Sequence, residues 1–369
     1  MHRQNESFVA IFILTGIPHA PDLGTTLFGI FLVIYVLTLV WNLLILLVIK
    51  VDSHLRTPMY YFLANLSFID IWFSTVTVPK VLMGLLSPDG GVISFHSCVA
   101  QLYFFHCLGS TECFLYTVMS YDRYLAITYP LRYATMMSGK TCALLAGGTW
   151  LSGAIHSAAQ TVLTFRLPYC GPNQIEHYVC DAPPILRLAC ADTSVNEMVI
   201  FVNVGVVASG CGFLIFLSYV SIVRAILKIR TAEGRHKAFQ TCASHCIVVL
   251  CLFVPALIIY LRPGSKHVMD RIVAIFQTMI APMLNPLAYS LRNKEVKMAL
   301  LRLICSAKEL GLQLRITESG SGRPGNPCGR QAGRKLDARN WLRSPALPTQ
   351  DGILSSEVFG TLRSPGAPI

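Results

Sequence analysis

Charge is the scarcest commodity in this sequence. Only 13% of its 369 residues are Asp, Glu, Lys or Arg, whereas 53% are hydrophobic; soluble domains carry roughly 25% charged residues. The shortage falls in blocks. Residues 24–49, 141–165, 198–223, 238–261 and 272–291 contain no charged side chain. Each block reaches the roughly 20 apolar residues that a bilayer-spanning helix needs. Other absences narrow the function. There is no G-x-S-x-G elbow, P-loop or HExxH pair, so no catalytic constellation is visible. The stretches "GGTW" and "PDGG" are too short to cradle a phosphate. No basic stretch is interleaved with aromatics outside the apolar blocks, which argues against a nucleic-acid partner. No internal repeat appears, which argues against a transporter built from paired halves. The leader "MHRQNESFVAIFILTGIPHAPD" has a short apolar patch broken by Gly16 and Pro18, without a signal-peptide pattern. The first long block is therefore expected to act as the targeting signal.

Two further blocks carry one internal acid each: 57–79 with Asp70, and 97–121 with Glu112. With the five uncharged blocks they make seven spans. The expected fold is an all-α membrane protein, a seven-transmembrane helix bundle whose partner on most of its surface is membrane lipid. Loop charges set its orientation. Lys50 and Arg56, then Arg132 and Lys140, then Arg224, Lys228, Arg230, Arg235 and Lys237, then Arg292, Lys294 and Lys297 follow the odd-numbered spans. The opposite loops mix signs, so the N-terminus is placed outside. The formal charge of +11 is then mostly membrane topology. Three regions follow: an outer tail over 1–24, the helix bundle over 25–303, and a cytoplasmic tail over 304–369. That last region is rich in Gly, Pro, Ser and Arg without apolar period and reads as disordered.

Asn5 opens an N-x-S triplet on the outer tail and is the expected glycosylation site. Asn65-Leu66-Ser67 fits the same pattern but lies within a span. Cys98, Cys170, Cys180 and Cys190 fall on the outer side, where four cysteines permit three pairings. Two disulfides are expected, one tying the long loop to the third span. Zinc is the rival reading, and it has neither a C-x-x-C knuckle nor a close His pair to support it.

Five segments occur together in order: "HLRTPMYYFLANLSFIDIW", "VMSYDRYLAITYPLRY", "LSYVSIVRAILKI", "KAFQTCASH" and "PMLNPLAYSLRNKEV". In them the chain resembles the olfactory receptor family of rhodopsin-like G-protein-coupled receptors, over about residues 5–303. The sequence departs from the family at Trp41, Ser120, Thr128 and Gln240, where Gly, Ala, Cys and Ser are usual, and in the length of its tail. The resemblance implies an odorant receptor rather than an enzyme, at the plasma membrane, with no required cofactor and a short cytoplasmic helix after the last span. Its partners would be a small volatile odorant and a heterotrimeric G protein of the stimulatory olfactory type, with cyclic AMP as output. The pairing carried with it is Cys98–Cys180 and Cys170–Cys190. A non-olfactory receptor of the same superfamily is the near alternative, though Phe104-Phe105-His106 lacks the acid that would pair with an amine. A product whose tail limits trafficking is another.

The resemblance also assigns roles. Asp122, Arg123 and Tyr124 end the third span, and the arginine would be freed for the G protein when the sixth helix moves. Tyr219, the hinge Asn285-Pro286 and Tyr289 complete that switch; proline removes a backbone donor and makes a local hinge. Asp70 and Glu112, mid-span, need partners inside the bundle. The family suggests a sodium ion there, near Asn42, Ser67 and Asn285; a neutral Glu112 in a hydrogen-bonded network is the alternative. The ligand is expected in the outer half. His106 and Ser110 share a face of the third span with Gly109 beside them, Asn203 and Val207 share a face of the fifth, Ala256 and Tyr260 of the sixth, and Thr278 comes from the seventh. Such a cavity, apolar with a few polar handles, suits a small volatile. Ordinary interhelical packing is the competing account of each. A soft-metal site at His106-Cys107 is a minor one.

Overall fold

The computed structural model describes residues 9–17, 23–229, 231–236, 239, 249, 272–292 and 295–305, with backbone alone at 88 and 288–292. Its frame is a set of long helices. These are α1 (Gly24–Val51), α2 (Pro58–Leu86), α3 (Phe95–Thr128), α5 (Gly139–Phe165) and α7 (Ser194–Leu227). Short helices α4 (Tyr133–Met136) and α6 (Ala182–Leu186) lie in the connections. Helix α8 (Ala281–Arg292) follows a π turn over Phe276–Ile280. The expected sixth span, 238–261, lies outside the described residues apart from two isolated positions, as do Asn5 and nearly all of the tail.

Local sequence explains the helix starts. Pro58 opens α2 at a position where its missing N–H costs nothing. Ser94 caps α3 by accepting from the Ser97 N–H, and Ser138 caps α5 by accepting from the Thr141 N–H. Helix α3 extends past its apolar run, so Asp122 and Arg123 lie within continuous helix rather than at its end.

Apolar side chains occupy both the inside and the outside of these helices. Ile45, Leu66, Ile69, Leu115, Tyr116 and Leu125 pack the centre. Val33, Val36, Val40 and Leu43 of α1, Leu144 and Leu151 of α5, and Phe213 and Phe216 of α7 are exposed. A soluble protein does not leave such continuous apolar faces uncovered. In a bilayer they are the surface that lipid wets. Helices α1, α2 and α7 are long and apolar enough to cross. Helices α3 and α5 are the polar ones, and they turn Thr111, Glu112, Asp122, His156, Ser157 and Gln160 inward. Gly153 of α5 permits that close pairing, because a Cβ there would collide with the Thr111 hydroxyl of α3.

The outer tail is more ordered than a plain leader. Its apolar patch forms β1 (Ile11–Leu14), the centre of a three-stranded sheet ordered β2-β1-β3. Strand β2 (Val92–Ser94) pairs antiparallel with it, and β3 (Gln174–Ile175) pairs in parallel. Strand alternation buries Phe12 and Leu14 against Cys98, Leu102, Tyr169 and Ile185. A Cβ on Gly91 would collide with the Leu14 carbonyl, so the turn before β2 packs this closely on β1 only with glycine there. The helical bundle therefore carries a small β cap at its outer end.

Candidate functional site

The outer cap is clamped to α3. Cys98 at the head of α3 is bonded to Cys180, and Cys170 to Cys190. Gln101, one turn below Cys98, bridges two neighbours. Its Nε2 donates to the Val76 carbonyl at 2.9 Å, and its Oε1 accepts from the Cys180 N–H at 3.0 Å. Below it, His106 Nε2 donates to Asp181 Oδ1 at 3.1 Å, because a carboxylate can only accept. Asp181 also accepts from the Ala182 N–H at 2.8 Å, capping α6. Burial pushes the Asp181 carboxyl up. The His106 hydrogen bond, the nearby His106 and His177 rings and the Ala182 N–H outweigh burial and hold it below the usual carboxylate range.

The other expected ligand residues are distributed around this region. Ser110 is buried and its hydroxyl lies 2.7 Å from His156 Nδ1 of α5. Thr278 is buried, 3.2 Å from the hydroxyl of Tyr178 in the outer loop. Gly109 faces the Phe73 ring at ordinary contact distance. Val207 packs against the central core, and Asn203 is half-buried on α7. Thus Asp181, His156 and Tyr178 join the expected set, each as the partner of a residue the sequence singled out. Their signal was faint, since a lone His in a span and an acid in a loop have many uses. Ala256 and Tyr260 lie outside the described residues.

In the middle of the bundle one amide joins both intramembrane acids. Asn285 Nδ2 donates to Asp70 at 3.0 and 3.2 Å and to Glu112 Oε1 at 3.4 Å. Tyr116 OH donates to Glu112 at 3.0 Å. Asn42 Nδ2 donates to the Thr38 carbonyl of its own helix and to the Pro282 carbonyl, both at 3.0 Å, and the second bond ties α1 to the last span. Its own Oδ1 is buried without a hydrogen-bond partner among the described residues. Two buried carboxylates thus meet at one amide donor. Among the described residues no group of three or more His, Cys, Asp or Glu is placed to hold a metal.

At the inner end Asp122 is 1% exposed. Its Oδ1 accepts from Tyr133 OH of α4 at 2.7 Å, and its Oδ2 lies 3.4 Å from Arg123 Nη2. Tyr133 appears in the sequence only as the end of a quoted motif, and nothing in its spacing marks it as a partner. Tyr124 and Tyr219 meet around Ile222 and Ile226 of α7. Pro286 lies inside α8, while the side chain of Tyr289 is outside the described set. A helix over 295–305 follows, and its Arg302 grips Asp52 at 2.9 and 2.6 Å. Burial pushes that carboxyl up, and hydrogen bonds from His54 and Arg302, with the guanidinium's charge, hold it below its usual range.

The described residues thus form a lipid-facing helix bundle with a disulfide-tied outer loop, a buried acid–amide node and an Asp-Arg-Tyr segment toward the inner end. The family model described as "Olfactory receptor" matches residues 31–307. The chain is 76% identical to human olfactory receptor 10G9 over 297 residues, which is 80% of this chain and 96% of that receptor. Human olfactory receptor 10G4 is 76% identical over 299 residues, 81% of this chain and 96% of its own length. Mouse olfactory receptor 10D1B is 53% identical over 305 residues, 82% and 98% of the two chains. The chain belongs to the olfactory receptor family. It is accordingly a multi-pass plasma-membrane odorant receptor and not an enzyme.

Proposed function

We propose that this receptor binds small, moderately polar volatile molecules in the outer half of its bundle and activates a stimulatory heterotrimeric G protein, raising cyclic AMP. The observation that supports it is the double duty of α3. His106 and Ser110 lie on α3 beneath the clamped loop. Asp122 lies about 18 Å beyond Ser110 and about 24 Å beyond His106 along the same helix, at 1.5 Å per residue, with Arg123 next to it. A ligand that competes for His106 or Ser110 shifts α3 against α5 and the outer loop. A rigid helix passes that shift to the inner end. There Arg123 leaves Asp122 for the G protein, with Tyr219 and the Asn285-Pro286 segment moving alongside. Ligand binding favours whichever arrangement it contacts better.

Asp70 and Glu112 would hold a sodium ion in the resting bundle. The ion would supply a positive charge between two acids that otherwise share one amide donor. In that role Asp70 and Glu112 bind, and Asn285 orients them. Asn5 is the proposed glycosylation site, which would assist delivery to the surface.

A panel of volatiles, applied to cells with surface expression confirmed by immunolabelling and cyclic AMP as readout, tests the reading. His106→Ala should move the potency of an active odorant about tenfold without changing surface level, the worth of a charge-assisted hydrogen bond. Arg123→Ala should abolish the response at equal surface level. An unmoved dose response in both would sink the assignment. The family match ends at residue 307, so truncation after that residue serves as a further arm. A response that appears only on truncation would assign the tail a restraining role.

A further inference from the structure

Lys80 runs against the rule that orients the rest of the chain. Cations gather at the inner ends of the spans, yet Lys80 lies within two turns of the outer end of α2 at Leu86. An ionised side chain in a spanning helix is costly unless something pairs with it. Among the described residues its one polar contact is a hydrogen bond to the Val92 carbonyl of β2, and no ion pair includes it. An ammonium carries three N–H donors, so that single bond leaves two of them over.

The side chain lines a cavity of about 220 Å³ between α2 and the β cap. Val81 and Leu85 of α2 and Ile13 of β1 give it aliphatic walls, and Tyr178 of the outer loop completes the lining. Gly16, also in the lining, has φ 70°, which turns the chain where β1 ends. Its N–H makes no hydrogen bond among the described residues. The space is thus apolar apart from one unpaired cation and one spare main-chain donor. It holds no carboxylate of its own. It is also smaller than the roughly 300–1,000 Å³ of pockets for drug-sized ligands, so its occupant is small.

We propose that this cavity binds a small organic monocarboxylate from the outer solution, its carboxylate on Lys80 and its short aliphatic body against Ile13, Val81 and Leu85. A neutral molecule would leave the ammonium unpaired. A phosphate dianion would bring two charges to one cation and no apolar surface to the walls. The cavity is separate from His106 and Ser110. Tyr178 joins the two regions, since it lines the cavity and its hydroxyl lies 3.2 Å from that of Thr278. Occupancy therefore bears on odorant response through Tyr178, a consequence that rests on the proposed function; the binding itself does not.

The test uses the full receptor in phosphatidylcholine nanodiscs with sodium butyrate as probe. Saturation-transfer NMR and the thermal unfolding midpoint are the readouts, because a ligand of the folded state raises that midpoint. Butyrate should give a saturable signal and a raised midpoint, and butyramide at the same concentration neither. Lys80→Met should weaken butyrate binding about tenfold or more, as loss of a charge-assisted hydrogen bond does. Lys50→Met, at the inner end of α1, should leave it unchanged. If Lys80→Met lowers the midpoint without butyrate, Leu85→Trp is read in its place; it keeps the charge, fills the cavity and should abolish the butyrate shift. Equal binding of butyramide, undiminished binding in both Lys80→Met and Leu85→Trp, or loss of binding in His106→Ala would each overturn the assignment. So would an equal midpoint shift from sodium chloride, which would mark a bare anion site, or displacement of butyrate by phosphatidylglycerol, which would mark a lipid headgroup.

Discussion

At its outer end α3 is held by the Cys98–Cys180 bond, by Gln101 bridging to Val76 and to the Cys180 backbone, and by His106 on Asp181. At its inner end, among the described residues, the polar contact that leaves Asp122 for another element is the Tyr133 hydroxyl, and the carboxylate also pairs with Arg123 beside it on α3. One end is fastened covalently to a strand-capped loop. The other is fastened by contacts that a single side-chain movement can release. The contrast locates where a two-state element can exist, because packed and cross-linked regions resist small displacements while polar latches have two discrete arrangements. It also accounts for the β cap. Strand β1 adds main-chain hydrogen bonds to a loop that its disulfides, Gln101 and His106 also hold.

The sharpest way to break this contrast is to unfasten the outer end. Cys98→Ser and Cys180→Ser should each abolish surface delivery, since removing such a bond from an outer loop costs about 2–5 kcal/mol. Surface immunolabelling at the wild-type level in either variant would show that the sheet and Gln101 suffice. Loosening the inner end should give the opposite phenotype. Tyr133→Phe removes the hydroxyl on Asp122 and leaves the ring, at about 1.5–3 kcal/mol for a hydrogen bond to a charged group. Basal cyclic AMP should rise about tenfold or more with surface level unchanged; an unchanged baseline would relieve Asp122 of its proposed restraining role. Arg302→Ala should do least, lowering the thermal midpoint by a few degrees at most, because Arg302 is 43% exposed and such pairs contribute about 0–1 kcal/mol. Its pH signature is fixed in sign. A carboxyl held below its ordinary value contributes stability above that value and loses it as pH falls through the lower folded value. The difference between wild type and Arg302→Ala should therefore be flat from pH 7 to about pH 5, begin to shrink near pH 4 and vanish only below the lowered folded value. A difference that grew on acidification would reject the Asp52 pairing.

Much of the architecture was legible in the linear pattern, and particular residues show why. Uncharged runs of span length, interrupted by Asp70 and Glu112, leave the helices few alternatives in lipid, where every backbone group must be paired within its own segment. The mid-span acids were readable as residues in need of inward partners, and Asn285 was named for them. Tyr133, His156, Asp181 and Tyr178 were not readable. Each gains its role from a contact between residues 11 to 100 positions apart. Neither helical period nor residue type predicts such a meeting. Strand β1 was missed for a related reason. Four residues of apolar alternation become a strand only when β2 and β3 arrive beside them, because an isolated strand has no partner for its own hydrogen bonds.

By itself, then, the sequence determined the number and orientation of the spans and the chemical character of each end of α3. Those depend on transfer into a bilayer and on loop charge, which are properties of segments one at a time. Only the tertiary structure decided which acid shares which amide and which hydroxyl reaches Asp122. Hydrogen bonds require atoms within about 3 Å of each other, and only the packing of one helix on another determines which atoms come that close.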